Sequence, residues 1–154
     1  MSLIEPTPPI PTIASLRAAG WESADEDGFI GLVGPFWWRT ENGIRRFAFV
    51  AEPRHANLVG VVQGGMLMTF ADRGLGTIVL DAIGRHAVTT SFETQFVGAG
   101  RIGSLIELEG ELVHKTNSMV FMRGLIRSGR RVLASCQGSW KILSERRGSG
   151  GAAP

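Results

Sequence analysis

Residues 55–84 read "HANLVGVVQGGMLMTFADRGLGTIVLDAIG", and the way this stretch folds decides the architecture of the chain. From Gly64 to about Ala82 it is too long for an ordinary strand and lacks period-2 alternation, so the pattern predicts a long helix. Between Met66 and Leu80 the only charged residues are Asp72 and Arg73. A helix apolar nearly all round is expected to be buried nearly all round. Its small residues, Ala71, Gly74 and Gly76, predict close approach by the surrounding backbone. Two local rules are broken near its start. A glycine pair, Gly64-Gly65, opens it, although glycine disfavours helix. A carboxylate, Asp72, sits about two turns in, on an oily surface where it costs stability unless paired or exposed. Such departures concentrate at functional or strained sites.

Outward from the helix the chain reads as strands. "GPFWWRT" and "GIRRFAFVAEP" predict two strands joined by a turn at "ENG". After the helix, "AVTTSFETQFVG" (87–98) places Val88, Phe92 and Phe96 on one face. In "SLIELEGELVHKT" (104–116), Ile106, Leu108, Gly110 and Leu112 alternate with Glu107, Glu109 and Glu111, a half-buried strand with a solvated acidic face. "SMVFMRGLIR" and "RVLASCQGSWKIL" follow, joined by the hairpin signal "SGR". "TIASLRAAG" (12–20) predicts a short helix capped by Thr12 and stopped by Gly20. Two strands, one buried helix and a four-strand meander make an α+β layer fold. Its economical packing is an antiparallel sheet wrapped around one long central helix, the hotdog fold. The expected organisation is a proline-stiffened arm over residues 1–11, one domain over 12–143 and a flexible tail over 144–154.

Composition narrows the function. The chain has 154 residues, 44% hydrophobic and 19% charged, which describes one globular domain. The net charge of +2 and the scattered arginine pairs (45–46, 130–131, 146–147) leave no electrostatic footprint for nucleic acid. The one cysteine, Cys136, forms no internal disulfide and fits a reducing compartment. It falls in a strand, as a small buried hydrophobe rather than a nucleophile. His55, His86 and His114 have no metal-ligand spacing with it. The start carries no secretory pattern and no run approaches ~18 apolar residues, so the expectation is a cytoplasmic protein without membrane contact.

The spacing around the helix start resembles the acyl-CoA thioesterases of the hotdog superfamily, in particular the phenylacetyl-CoA-pathway type. That family's pattern is an asparagine, five residues, His-Gly-Gly, and an acid nine residues after the histidine. Here Asn57, Gln63-Gly64-Gly65 and Asp72 stand at those spacings, with Gln63 where histidine is commoner. The resemblance covers roughly residues 36–143. It implies hydrolysis of an acyl-CoA to free acid and coenzyme A without metal or cofactor, by a homodimer or a dimer of dimers.

The chemistry accounts for the spacing independently. A thioester carbonyl under attack becomes an oxyanion and needs backbone N–H donors that do not reorganise. The first turn of a helix offers unpaired N–H groups and partial positive charge. Gly64 is the expected donor, and Gly65 permits close approach. Asp72 is the expected general base or nucleophile, two roles the sequence leaves open. It lies about 12 Å along the helix from Gly64, too far to serve the same carbonyl. The resemblance resolves this by pairing two protomers helix against helix, the acid coming from the partner.

Other positions carry two readings each. Asp72 also reads as a carboxylate held by Arg73, the glycines as a steric need of helix entry, and Asn57 as a turn residue. The family reading has Asn57 orient the thioester or the water. Gln63 can polarise a carbonyl but cannot shuttle a proton. The family's strand hydroxyl falls on Thr89, although Ser91 is also compatible with that face. The turn containing Lys115, Thr116, Asn117 and Ser118 matches the family's pantetheine and nucleotide contact, or is an ordinary hairpin loop. Phe96, Met66, Met68 and Phe70 read as core, with one or two lining the acyl pocket. Trp37 and Trp38 point to opposite faces, so at most one lines it. A hotdog hydratase or dehydratase would want a histidine base where Gln63 stands. A non-catalytic acyl-CoA binding module would have no use for Asp72.

Overall fold

The structure is a computed structural model that describes residues 9–144. The expected arm (1–11) and tail (144–154) lie outside the described residues apart from 9–11 and 144.

The long helix forms as the pattern predicts. It is α3, Gly64–Ile83, closed by Gly84 in the left-handed conformation at φ 65°, whose N–H donates to Leu80 O at 2.8 Å. Two short helices precede it: α1, Ile13–Ala18, capped by Thr12, and α2, Gly28–Val33. The strands are β1 Glu22–Ser23, β2 Trp37–Glu41, β3 Ile44–Val50, β4 Ala87–Phe96, β5 Leu105–Lys115, β6 Met119–Ser128 and β7 Arg131–Ile142. Asn42 and Gly43, both at positive φ, make the tight β2–β3 turn.

All seven strands pair antiparallel in one sheet, in the order β1-β2-β3-β5-β6-β7-β4. Helix α3 packs on β3 through β7, the hotdog arrangement. Phe49, Phe70, Leu75, Ile106, Met122 and Trp140 are fully buried between them. Gly74 brings helix and sheet together: a Cβ there would stand 2.5 Å from Leu108 Cδ2. A second cluster of Leu16, Trp21, Trp37 and Ala48 sits outside β2 and β3, beneath α1. Trp38 packs against the main core instead, so the tryptophan pair splits between the faces.

Three expectations need correction. The last four strands are not a simple meander, because β4 pairs with β7 and β5 with β3. The connection over 97–104 passes the start of α3, where Val62 N–H donates to Gly100 O at 2.9 Å, and carries the chain from the sheet edge to its middle. Second, α3 is not buried all round. The sheet covers one side, leaving Gly65, Met68, Asp72, Gly76 and Leu80 half-buried or exposed on the other. Third, Val88 does not share the inner face of Phe92. A bulge at Thr90 pairs Thr89 with Trp140 and Ser91 with Ser139, and Val88 lies opposite the outward Lys141.

Candidate active site at the start of the central helix

The loop before α3 is tied by its own side chains. Asn57 Oδ1 accepts from the N–H groups of Val59 (2.9 Å) and Val61 (3.3 Å), so its oxygen serves the turn. Its Nδ2 has no partner among the described residues. His55 is buried edge-on against Phe49. Its Nδ1 accepts from Glu52 N–H at 3.0 Å, and its Nε2 lies 2.9 Å from Val33 O, which places the ring proton on Nε2. Burial holds its pKa below the usual value, against the opposing pull of the Val33 carbonyl. Its own carbonyl accepts from Gln63 N–H at 2.8 Å. His55 is a strut behind the helix start.

Gln63 is the N-cap of α3. Its backbone carbonyl accepts from Met66 N–H at 2.9 Å, and its side-chain Oε1 accepts from Gly64 N–H at 3.2 Å. The expected donor, Gly64, is therefore occupied by its neighbour's side chain. Gly65 N–H has no acceptor among the described residues. A Cβ on Gly65 would meet nothing within 4 Å, whereas one on Gly64 would stand 3.1 Å from the ring of Phe96. Glycine at 65 is thus not required by this chain's own packing.

Asp72 lies two turns further along the uncovered face. Thr89 Oγ1 donates to its Oδ1 at 2.8 Å. Arg73 turns away from it, toward Glu26 and Thr77. The Thr90 bulge decides between the two strand hydroxyls: Thr89 faces α3 and Ser91 the opposite side. Phe96 closes the other end of β4 against Gly64, with its ring 51% exposed.

The turn after β5 lies elsewhere. Thr116 Oγ1 accepts from Ser118 N–H (3.3 Å) and Met119 N–H (3.0 Å), while Lys115 and Asn117 are exposed. Ile142 N–H donates to Ser118 O at 2.8 Å, and Ile142 pairs with Ala87 just beyond α3. Within one chain this turn and Gly65 are at opposite ends of a helix of 20 residues, about 30 Å long.

Sequence reasoning missed the wall of the site. A cavity of about 250 Å³ opens beside Gly65, lined by Phe29, Val33, His55, Gly65, Met66 and Thr69 among others. Its far side is α2, whose "GFIGLV" has neither length nor periodicity to announce a helix. Arg54 fastens it, donating to Leu32 O at 3.0 Å and to Gly34 O while pairing with Glu52 at 2.9 Å. Cys136 is buried, its thiol 3.4 Å from Gly124 O and pushed up to about 11 by burial. Among the described residues, no helix is long and apolar enough to cross a membrane, and no three His, Cys, Asp or Glu side chains are grouped to hold a metal.

Residues 59–135 match the family model of the Thioesterase superfamily. The chain belongs to that superfamily. This thioesterase-superfamily chain is similar to the Pseudomonas aeruginosa protein named "Putative esterase PA0474", with 32% identity over 120 residues covering 73% of this chain and 87% of the relative. It shares its fold with a hypothetical thioesterase of Streptococcus pneumoniae TIGR4 solved with coenzyme A (21% identity, 65% and 81% of the two chains, TM-score 0.61). The same holds for the E. coli PaaI protein from the phenylacetic acid degradation operon (16% identity, 65% and 72%, TM-score 0.62).

Proposed function

We propose that this protein is a homodimeric acyl-CoA thioesterase that hydrolyses a thioester to a free acid and coenzyme A. The observation that carries the reading is the Asp72–Thr89 pair, set on an uncovered helix face that also bears the N–H of Gly65, unpaired among the described residues. The superfamily, and the coenzyme A bound by the Streptococcus pneumoniae relative, support it.

Seven residues separate Gly65 from Asp72, about 10 Å along the axis, so one carbonyl cannot use both from one chain. A two-fold axis near Met68 and Thr69 sets Gly65 of one protomer against Asp72 of the other. Two features support this pairing. The uncovered face carries glycine at 65 and 76, and β4 is a long edge strand whose Val88 and Phe96 are exposed. In such a dimer the Lys115–Ser118 turn belongs to the chain that supplies Asp72. It lies about 16 Å further along that helix, where Lys115 meets the phosphates of coenzyme A.

The thioester oxygen accepts from Gly65 N–H, and from Gly64 N–H once Gln63 Oε1 withdraws. Asn57 Nδ2 is the side-chain donor of the same group. Asp72, held through Oδ1 by Thr89, takes a proton from water through Oδ2 as the water oxygen bonds to the carbonyl carbon. The C–S bond then breaks, and the proton passes to the departing thiolate. Thiol release from acyl-CoA tests the reading. Asp72→Asn is expected to lower kcat by about 10² to 10⁴ with little change in KM. Turnover within about threefold of the unsubstituted protein overturns the assignment.

A further inference from the structure

The cavity beside Gly65 is bounded by α2, a helix that does not hold itself together. Gly28 starts it at φ 66°, and Asp27 gives no side-chain cap. It keeps its place through bonds from elsewhere: Arg54 to the carbonyls of Leu32 and Gly34, His55 Nε2 to Val33 O, and Glu26 to Arg73 on α3. So many tertiary ties on six residues fix a wall. What the wall presents is apolar: Phe29 and Val33 face Met66 across the cavity. Phe29 remains 62% exposed, a large ring on the cavity wall rather than in the core.

The charged and imidazole groups around the cavity are already engaged. Arg54 is bonded to two carbonyls and to Glu52, and both ring nitrogens of His55 are occupied. An anionic acyl group would find no free cation there and would lose its water. Within one chain, α2 limits the space on one side. An apolar cavity of ~150 Å³ accepts benzene, so about 250 Å³ accepts on the order of ten carbon atoms.

We propose that Phe29 is a specificity-determining residue, its ring walling an open-sided pocket that favours uncharged acyl groups of on the order of ten carbons or fewer. This rests on the thioesterase reading, since Gly65 N–H places the thioester carbon beside the pocket. In this arrangement a ring or medium chain fits and a long fatty chain stops against Phe29.

The test compares kcat/KM for hexanoyl-, lauroyl- and palmitoyl-CoA, and for butyryl- against succinyl-CoA, in the unsubstituted protein, Phe29→Ala and Phe29→Trp. Phe29→Ala should raise the lauroyl-to-hexanoyl ratio at least tenfold, and Phe29→Trp should lower it. Succinyl-CoA should be used at least tenfold less efficiently than butyryl-CoA. A merely structural role for Phe29 would lower all substrates together and leave the ratio unchanged, so ratios within twofold in both variants overturn the proposal. Parity of succinyl- and butyryl-CoA also overturns it. If the unsubstituted protein hydrolyses none of these thioesters, the thioesterase reading fails separately. The pocket is then read from binding of non-hydrolysable thioether analogues of the same lengths, where the same shift in ratio upholds it and no shift overturns it.

Discussion

Thr89 donates its hydroxyl proton to Asp72 Oδ1 at 2.8 Å, joining the edge strand β4 to the uncovered face of α3. A hydrogen bond to a charged group contributes about 1.5–3 kcal/mol. Thr89→Val keeps the shape and removes the donor, so kcat should fall about 10- to 100-fold with KM nearly unchanged. Thr89→Ser should stay within about threefold. Steady-state thiol release separates the two variants.

The bulge at Thr90 is what turns Thr89 toward the helix. Deleting Thr90 removes the extra residue and makes the pairing continuous, leaving Thr89 opposite Trp140 and facing the helix, with Val88 outward. Activity should therefore stay well above that of Thr89→Val, and the protein should still unfold in one cooperative step. Thr90→Ala keeps the bulge and should keep the activity. A folded deletion variant as inactive as Thr89→Val would mean that the bulge itself, and not only the inward facing of Thr89, shapes the site.

Pairing of Gly65 with Asp72 across a two-fold axis predicts complementation. Asp72→Asn and Gly65→Val proteins, each inactive, should regain activity when their chains are exchanged. Random exchange makes half the dimers mixed with one intact site each, so about a quarter of normal activity returns. Exchange verified by mass, with no activity recovered, would place both groups in one chain.

His55 predicts the acid side of the stability profile. Burial lowers its folded pKa below the ordinary value of 6.5. The unfolded chain then binds the proton more readily, so stability is intact above pH 6.5 and declines as pH falls below it. Protonation also removes the acceptor that Nδ1 offers to Glu52 N–H. Melting temperature should fall between pH 7 and pH 5.5. His55→Gln should melt lower throughout, by about 1–3 kcal/mol of stability, and show a flatter dependence over that range.

Cys136 should be silent in the native protein. With its thiol pushed up to about 11 by burial, almost no thiolate exists at pH 8. A maleimide should label it only after denaturation, and labelling at the rate of a free thiol would show that the β6–β7 face opens.

Most of the fold was legible because α3 and the strands carry long periodic patterns. The Gly64-to-Ala82 reading matches Gly64–Ile83 closely, and the "ENG" and "SGR" turns fall where glycine is needed at positive φ. What failed depended on relations between distant segments. The β3–β5 pairing, set by the 97–104 connection, has no local signature. The Thr90 bulge is invisible in "VTTSF", where all three hydroxyl residues suit a strand. The spacing from Asn57 to Asp72 picked out the proposed site, but not that Asn57 Oδ1 and Gln63 Oε1 would be engaged by backbone. Helix α2 escaped because it is held by Arg54 and His55 rather than by its own propensity.

Gln63 Oε1 already occupies Gly64 N–H. A neutral carbonyl arriving there exchanges one amide-like acceptor for another, so little is gained in the ground state. The gain grows only as the incoming oxygen acquires full negative charge, which a glutamine oxygen cannot match. In the proposed reaction an internal competitor of this kind cancels the bond's gain for the resting substrate and leaves part of it to the reacting one, which lowers the barrier measured from the bound substrate.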